Sequence, residues 1–400
     1  MNSRHRVLLC CEQYAPSVGG VQEVMRQIAE RLAQRGFDVV VATGAHPRRA
    51  ATETLNGVKV VSFPIKGNRV HGMTGPVAEY QDFLRNGGFD AILIKAAQQW
   101  TFDAAAEVIG EVPGRKVFIP CGFSGLKDPR YAAYFERMPE WLRRFDNLVF
   151  YSDDYQDIEF ARRHGLRDLS LIPNGVDERE FHPADPGNIR AELGISPDDD
   201  LLLSVGSMIM AKGHWEVVRA FRQARLKRPA TLVINGNYPH GGLVSSLKRT
   251  VKHAATGRWP IRWEAAITSM HAGKKVLITN LPRERLIKLY NASKLFVFAS
   301  HVEYSPLVLF EAAASATPFI ASDAGNSAEI AGWTQSGVVV KRRNGGGRAC
   351  DVADLARSIE SMLDKADLET WGVAGRRAVM TNGFTWDRIV DRYMSILNLS

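Results

Sequence analysis

Two glutamates with seven residues between them, Glu303 and Glu311, bracket the stretch best suited to chemistry. Between them stands Ser305-Pro306, followed by the apolar run Leu307 to Ala314. Serine is a preferred helix N-cap, and proline suits the first helical position because its missing N–H would be unpaired there anyway. The sequence thus predicts a helix capped by Ser305, with the first amides, of Leu307 and Val308, pointing outward and favouring an anion. Pro318 ends that helix near Thr317. The run before the pair, Leu295 to Ala299, is short and rich in Phe and Val and reads as a buried strand. A strand end, a loop carboxylate and a helix N-terminus suit a ligand with phosphate at one end and hydroxyls at the other, such as a nucleotide-sugar. A capped helix with two solvated glutamates has the same local pattern, so other parts of the chain must decide.

Two further loops bear on this. Ser17 to Gly20 ends in Gly19-Gly20, just before an amphipathic helix expected from Val21 to Gln34. Glycines there let backbone approach a phosphate, although a glycine pair is also an ordinary turn and no G-x-G-x-x-G is present. Gly206 to Lys212, with Ser207, follows the apolar strand Leu201 to Val205 and puts a lysine at the start of a helix expected to run to Arg225. All three loops end predicted strands.

The elements that must position these loops alternate. Strands are expected at Arg6–Cys11, Val39–Ala42, Val58–Phe63, Ala91–Ile94, Lys116–Ile119 and Asn147–Tyr151, with a helix at Met73–Leu84 and another at Asp154–His164. A second series begins at Leu201, after the Pro-, Gly- and Asp-rich residues 183–200, which read as a linker. This rhythm means α/β architecture: two Rossmann-like, doubly wound parallel sheets, in domains 1–182 and 183–383. Ligands in such folds bind at the carboxyl ends of the strands. The D-x-D within Asp198-Asp199-Asp200 precedes a strand rather than following one and reads as a solvated linker, so no metal is expected.

Composition narrows the class. Four hundred residues suit two domains. A hydrophobic content of 45% and a charged content of 24% fit a soluble globular chain. No apolar run approaches the ~20 residues of a membrane span. The five-residue run Val7 to Cys11 is too short for a signal peptide, and the four cysteines show neither metal spacing nor a disulfide framework. A reducing, cytoplasmic setting is expected. The net charge is +8, and the window 241–288 carries ten Lys or Arg against Glu264 and Glu284. Such a window is a solvated surface or a contact for an anionic membrane, a nucleic acid or an acidic substrate. Trp259 and Trp263 are its only aromatics and no nucleic-acid module is present, so anionic lipid fits better and no nucleic-acid partner is expected.

Nearly end to end, the chain resembles the GT-B fold glycosyltransferases of family four, retaining enzymes that use nucleotide-sugars. PSVGGVQEVMRQIAERLAQRGFDVVVAT resembles the first glycine loop and helix of that family, and LIPNGVDEREFHP its interdomain signature. SVGSMIMAKGHWEVVRAF resembles the VGR…KG segment, and VEYSPLVLFEAAASATPFIASDAGNSAEI the two-glutamate motif. FTWDRIVDRY resembles the C-terminal helix, about 384–400, that packs back on the first domain. The resemblance implies Gly19 and Gly20 near the donor diphosphate and the acceptor. It implies Lys212 on the diphosphate, with Gly206 and Ser207 beside it, and Glu303 on hydroxyls of the transferred sugar. Ser305, Pro306, Leu307 and Val308 would lie along sugar or phosphate through their backbone, and Glu311 would hold the ribose. The donor would be of UDP or GDP type, with no cofactor required. The acceptor would be a glycan or lipid-linked sugar, and the chain would sit peripherally on the inner membrane face.

Three positions depart from the family pattern. Ser207 stands where the family has an arginine, and His214 or a residue of the basic window is the candidate replacement. Pro120-Cys121-Gly122 lacks the family's loop histidine, leaving Cys121 or Ser124 to face the sugar or acceptor. Tyr304 replaces the glycine after the first glutamate. These departures keep open a nucleotide-sugar-binding protein of weakened catalysis, and the same double-Rossmann plan also admits a nucleotide-sugar epimerase or a phosphorylase.

Overall fold

The computed structural model describes residues 5–237, 260–342 and 349–399, so residues 241–259 of the basic window lie outside the described residues. The chain divides into two units, residues 1–175 with 386–400 and residues 176–385. The division falls before 182/183 because Phe181, Ile189 and Ile195 are buried in the core of the second unit.

The first unit runs β1 (Arg6–Cys10), α1 (Gly20–Gln34), β2 (Asp38–Gly44), β3 (Thr52–Leu55), β4 (Val58–Phe63), β5 (Lys66–Asn68), β6 (Gly72–Thr74), α2 (Val77–Asn86), β7 (Ala91–Lys95), α3 (Trp100–Val108), β8 (Arg115–Ile119), α4 (Ala132–Leu142), β9 (Asn147–Phe150), α5 (Gln156–Arg163) and β10 (Leu169–Leu171). Its main sheet has the order β10-β9-β8-β7-β1-β2-β4-β3, and only β3 is antiparallel to its neighbour. Strands covered on both faces read as unbroken apolar runs, as β7 (AILIK) does. Because β1 has β2 on one side and β7 on the other, the chain reverses its winding there, and the loops leaving β1 and β7 open at that switch point. The final helix, Trp386–Ile396, joins this unit. It packs on α1, where Arg31 Nε meets Asp387 at 3.0 Å and Arg35 meets Asp391 at 2.8 Å.

One expectation fails here and two helices go unread, each for a physical reason. Met73 lies in β6, and α2 starts only at Val77, because Gly75 at φ 110° and Pro76 break the chain between them. Neither α3 nor α4 is legible in the sequence. The α3 helix is buried on nearly every side and so lacks a polar face, and α4 contains Pro139.

The second unit runs α6 (Ile189–Glu192), β11 (Asp200–Val205), α7 (His214–Gln223), β12 (Ala230–Asn235), α8 (Ile261–Ser269), β13 (Lys274–Thr279), α9 (Arg283–Ala292), β14 (Leu295–Phe298), α10 (Leu307–Ala314), β15 (Phe319–Ser322), α11 (Ser327–Thr334), β16 (Gly337–Val340), α12 (Val352–Leu363) and α13 (Leu368–Thr381). Its sheet is parallel throughout, in the order β13-β12-β11-β14-β15-β16. The reversal lies between β11 and β14, so Gly206–Lys212 and Ser300–Val308 leave neighbouring strands at the switch point. Of the acidic triplet, Asp198 is exposed as expected, but the other two are not a solvated linker. Asp200 is buried at the start of β11 against Lys294 (3.0 Å), and Asp199 accepts from Thr231 Oγ1 (2.6 Å).

Candidate functional site

The two loops at this switch point are bonded together. Lys212 sits in a 3₁₀ turn, Met210–Lys212, rather than in the helix. Gly213 separates the two at φ 68°, and a Cβ on it would lie 1.8 Å from the Ala299 carbonyl oxygen. That close approach brings the turn against the end of β14. His301 N donates to Ala211 O at 2.8 Å, and Ser300 Oγ lies 2.9 Å from the same oxygen. Lys212 Nζ then donates to Glu303 Oε1 at 2.5 Å, with Ser300 Oγ 2.8 Å from that carboxylate oxygen. An ammonium and a carboxylate 91 residues apart in sequence thus become one partly exposed pair.

Ser305 is not the cap of α10. Its φ is 55°, and Pro306 takes the N-cap position without a side-chain cap bond. The Ser305 amide donates to the buried Asn326 Oδ1 at 2.8 Å. Gly325, at φ 60°, lets this segment lie against Glu303, since a Cβ there would be 2.2 Å from the Glu303 carbonyl oxygen. With the Ser305 amide committed and Pro306 lacking one, the amides available to an anion at this helix start reduce to those of Leu307 and Val308.

His214 cannot replace the arginine that is absent at Ser207. Its ring is fully buried, with Nε2 3.1 Å from Gly206 O and Nδ1 3.3 Å from Ser204 Oγ. A carbonyl only accepts, so Nε2 carries the hydrogen and Nδ1 accepts from the hydroxyl, which is the neutral imidazole. Burial pushes its pKa down from 6.5 to about 4, against the pull of the Gly206 carbonyl. The basic window offers little loose charge among its described residues. Lys274 bonds Arg222 O and Ala224 O, Lys275 bonds Gly194 O, Arg285 pairs with Glu192 and Arg283 with Glu180.

Glu311, on α10, is 8% exposed and its carboxylate is held from two sides. Tyr290 Oη donates to Oε2 at 3.2 Å, and Arg283 Nη1 stands 3.8 Å from Oε1. Burial and this carboxylate push the Tyr290 phenol well above its ordinary pKa, so it stays a donor. Sequence reasoning named Glu311 but missed its partners, because Arg283 and Tyr290 look like surface and core residues of one helix. Ser300 and Asn326 were missed in the same way.

In the first unit, Gly19 is extended (φ 172°) and Gly20 opens α1. A Cβ on Gly20 would meet nothing within 4 Å, so the backbone does not demand glycine there. Cys121 has φ 61° and is half-buried, and burial raises its thiol pKa against the lowering pull of the Lys95 ammonium. Lys95 is itself buried, donates to the Tyr151 hydroxyl and has its pKa lowered by burial. Ser124 is exposed and its Oγ lies 3.2 Å from Gln98 Oε1, which also accepts from Gly125 N at 3.0 Å. The loop holding Cys121 is fixed by α5: Gly122 N donates to the buried Asp157 at 2.8 Å. No group of three or more His, Cys, Asp or Glu stands in metal-holding arrangement among the described residues, and no described helix is long and apolar enough to cross a membrane.

Two family profiles match: Glycosyltransferase Family 4 over residues 18–180, and Glycosyl transferases group 1 over residues 185–376. The chain is 27% identical over 223 residues to a D-inositol 3-phosphate glycosyltransferase of Nocardia farcinica, across 54% of this chain and 44% of that protein. It therefore spans less than half the length of that relative. Among solved structures, the sucrose-phosphate synthase of Thermosynechococcus elongatus superposes with a TM-score of 0.77 at 20% identity, covering 99% of this chain and 100% of that one. The Anabaena protein HepE, solved in complex with UDP-glucose, gives 0.71 at 16% identity, with 99% and 100% covered. The shared fold is GT-B, and the chain belongs to the family-four, group 1 glycosyltransferases, whose members are retaining.

Proposed function

We propose that this chain moves a sugar from a nucleotide-diphosphate donor, of UDP or GDP type, to a glycan or lipid-linked acceptor with retention of anomeric configuration. The Lys212–Glu303 pair at the second unit's switch point is the observation that carries the reading. In glycosyl transfer the diphosphate gathers negative charge as the anomeric carbon becomes cation-like. Lys212, with the amides of Leu307 and Val308, would stabilise that charge in the transition state. Glu303, paired with Lys212 and oriented by Ser300, would accept from sugar hydroxyls. Glu311 is an acceptor-only carboxylate suited to a vicinal diol such as ribose. The leaving diphosphate lies beside the anomeric carbon and would take the acceptor's proton, giving same-face attack. Gly19 and Gly20, whose backbone conformations do not require glycine, would leave room for the donor or acceptor, with Cys121 and Ser124 toward the sugar. Anionic membrane contact through 241–288 belongs to the same reading, and liposome sedimentation at low and high salt tests it.

The test is transfer from a panel of UDP- and GDP-sugars, with product anomers assigned by NMR. Lys212→Met is expected to lower kcat on the order of 10²–10³-fold. Glu311→Ala is expected to weaken nucleotide binding. Full turnover in both variants overturns the reading. A nucleotide-sugar-binding protein without transfer is the second reading, favoured by Ser207 and the neutral His214, neither of which supplies the cation that the family has beside its lysine. Donor hydrolysis or transfer by the unaltered chain would dismiss it.

A further inference from the structure

Arg283, the first residue of α9, is fixed by more contacts than a surface arginine needs. Its Nε and Nη2 donate to Glu180 Oε2 at 3.0 and 2.6 Å, and its guanidinium lies 4.9 Å above the Phe181 ring. Phe181 packs edge-on against Tyr290, with centroids 5.6 Å apart, and Tyr290 is the donor to Glu311 Oε2. The end of the guanidinium away from Glu180 is directed at Glu311 Oε1, at 3.8 Å. That is ion-pair distance but too long for a direct hydrogen bond. A half-exposed ion pair contributes only ~0–1 kcal/mol to stability, so stability alone does not account for an arginine held by a carboxylate, by a ring and toward a second carboxylate.

The charges indicate what this cluster can take. Two carboxylates, Glu180 and Glu311, face one guanidinium, so a phosphate would be repelled and a neutral polyol would not. A hydroxyl donating to Glu311 Oε1 would lie within reach of Arg283 Nη1, which can donate to that hydroxyl's oxygen.

We propose that Arg283 is a nucleoside-binding residue: it donates to the ribose hydroxyls that Glu311 accepts from, with Glu180 and Phe181 positioning it. This deepens the donor-site reading and rests on Glu311 holding the ribose. It also gives the interdomain signature a role, since Glu180 and Phe181 belong to the segment NGVDEREF. Arg283 is accordingly not the second diphosphate cation.

Calorimetric titration of the full chain with UDP, GDP and their 2′,3′-dideoxy analogues tests this. Arg283→Gln is expected to weaken ribonucleotide binding on the order of tenfold and dideoxynucleotide binding less than about twofold, the loss of a hydrogen bond from a charged donor. Glu180→Gln should show a smaller loss with the same dependence on the hydroxyls. Arg283→Lys should not restore affinity, because a single ammonium cannot span both carboxylates. Wild-type affinity in Arg283→Gln together with weakened Glu311→Ala overturns the role of Arg283 and leaves the ribose reading intact. Equal losses for ribo- and dideoxynucleotides would assign Arg283 to fold maintenance and overturn it as well. Undiminished binding by Glu311→Ala, or no binding of either nucleotide by the unaltered chain, defeats the donor-site reading itself.

Discussion

The buried imidazole of His214 ties stability to pH with a definite sign. An unfolded chain protonates this ring near 6.5, whereas the folded chain resists until about 4. Between those values the unfolded state binds more protons. Stability is therefore complete above 6.5 and falls as the pH is lowered toward 4, by up to the order of 3 kcal/mol. Melting curves at intervals from pH 4 to 7 should show that slope, and His214→Gln should flatten it. An unchanged slope in the variant would mean that other groups set it. Individual residues were also where the sequence was most and least informative. Glu303, Glu311 and Lys212 could be named from type and spacing. Their partners could not, because Lys212 meets Glu303 across 91 residues and no local pattern reports that. Ser305 was misread because capping preference is local, whereas its backbone is set by Asn326, 21 residues on.

The elements divide in the same way. Strands buried on both faces are legible as short apolar runs, and their alternation with amphipathic helices gave the two sheets. The α3 helix, buried on nearly every side, and α4, with an internal proline, lack the signals that such reading depends on. The glycine turns at the element ends make a prediction at this scale. Gly213→Ala would place a Cβ 1.8 Å from the Ala299 carbonyl oxygen at a positive φ, and Gly325→Ala one 2.2 Å from the Glu303 carbonyl oxygen. Each should cost about 2–4 kcal/mol, visible as a lowered melting temperature. Gly20→Ala meets open space and should leave stability unchanged or raise it by up to ~1 kcal/mol. A fall in turnover at unchanged stability in Gly20→Ala is the expected outcome if ligand approaches that backbone. Normal turnover would return the glycine pair to an ordinary turn.

At the scale of the whole molecule, each unit holds one switch point, and the second unit builds its Lys–Glu pair and its Glu311 cluster from its own residues. The final helix belongs to the first unit and buries Ile389, Val390 and Tyr393. Each such side chain contributes roughly 1.5–3 kcal/mol. A chain stopped at Thr385 should therefore show a weakened first unit, read as a separate, lower calorimetric transition, while the second unit melts as before. Coincident loss of both transitions would show that the units do not unfold separately. The path of the chain carries a further consequence for how the protein is made. The second unit is continuous in sequence, whereas the first is assembled from both ends of the described chain. During synthesis the unit begun first is finished last. Its α1 face waits, uncovered, while the second unit emerges, so apolar surface of the first unit is the last to be buried.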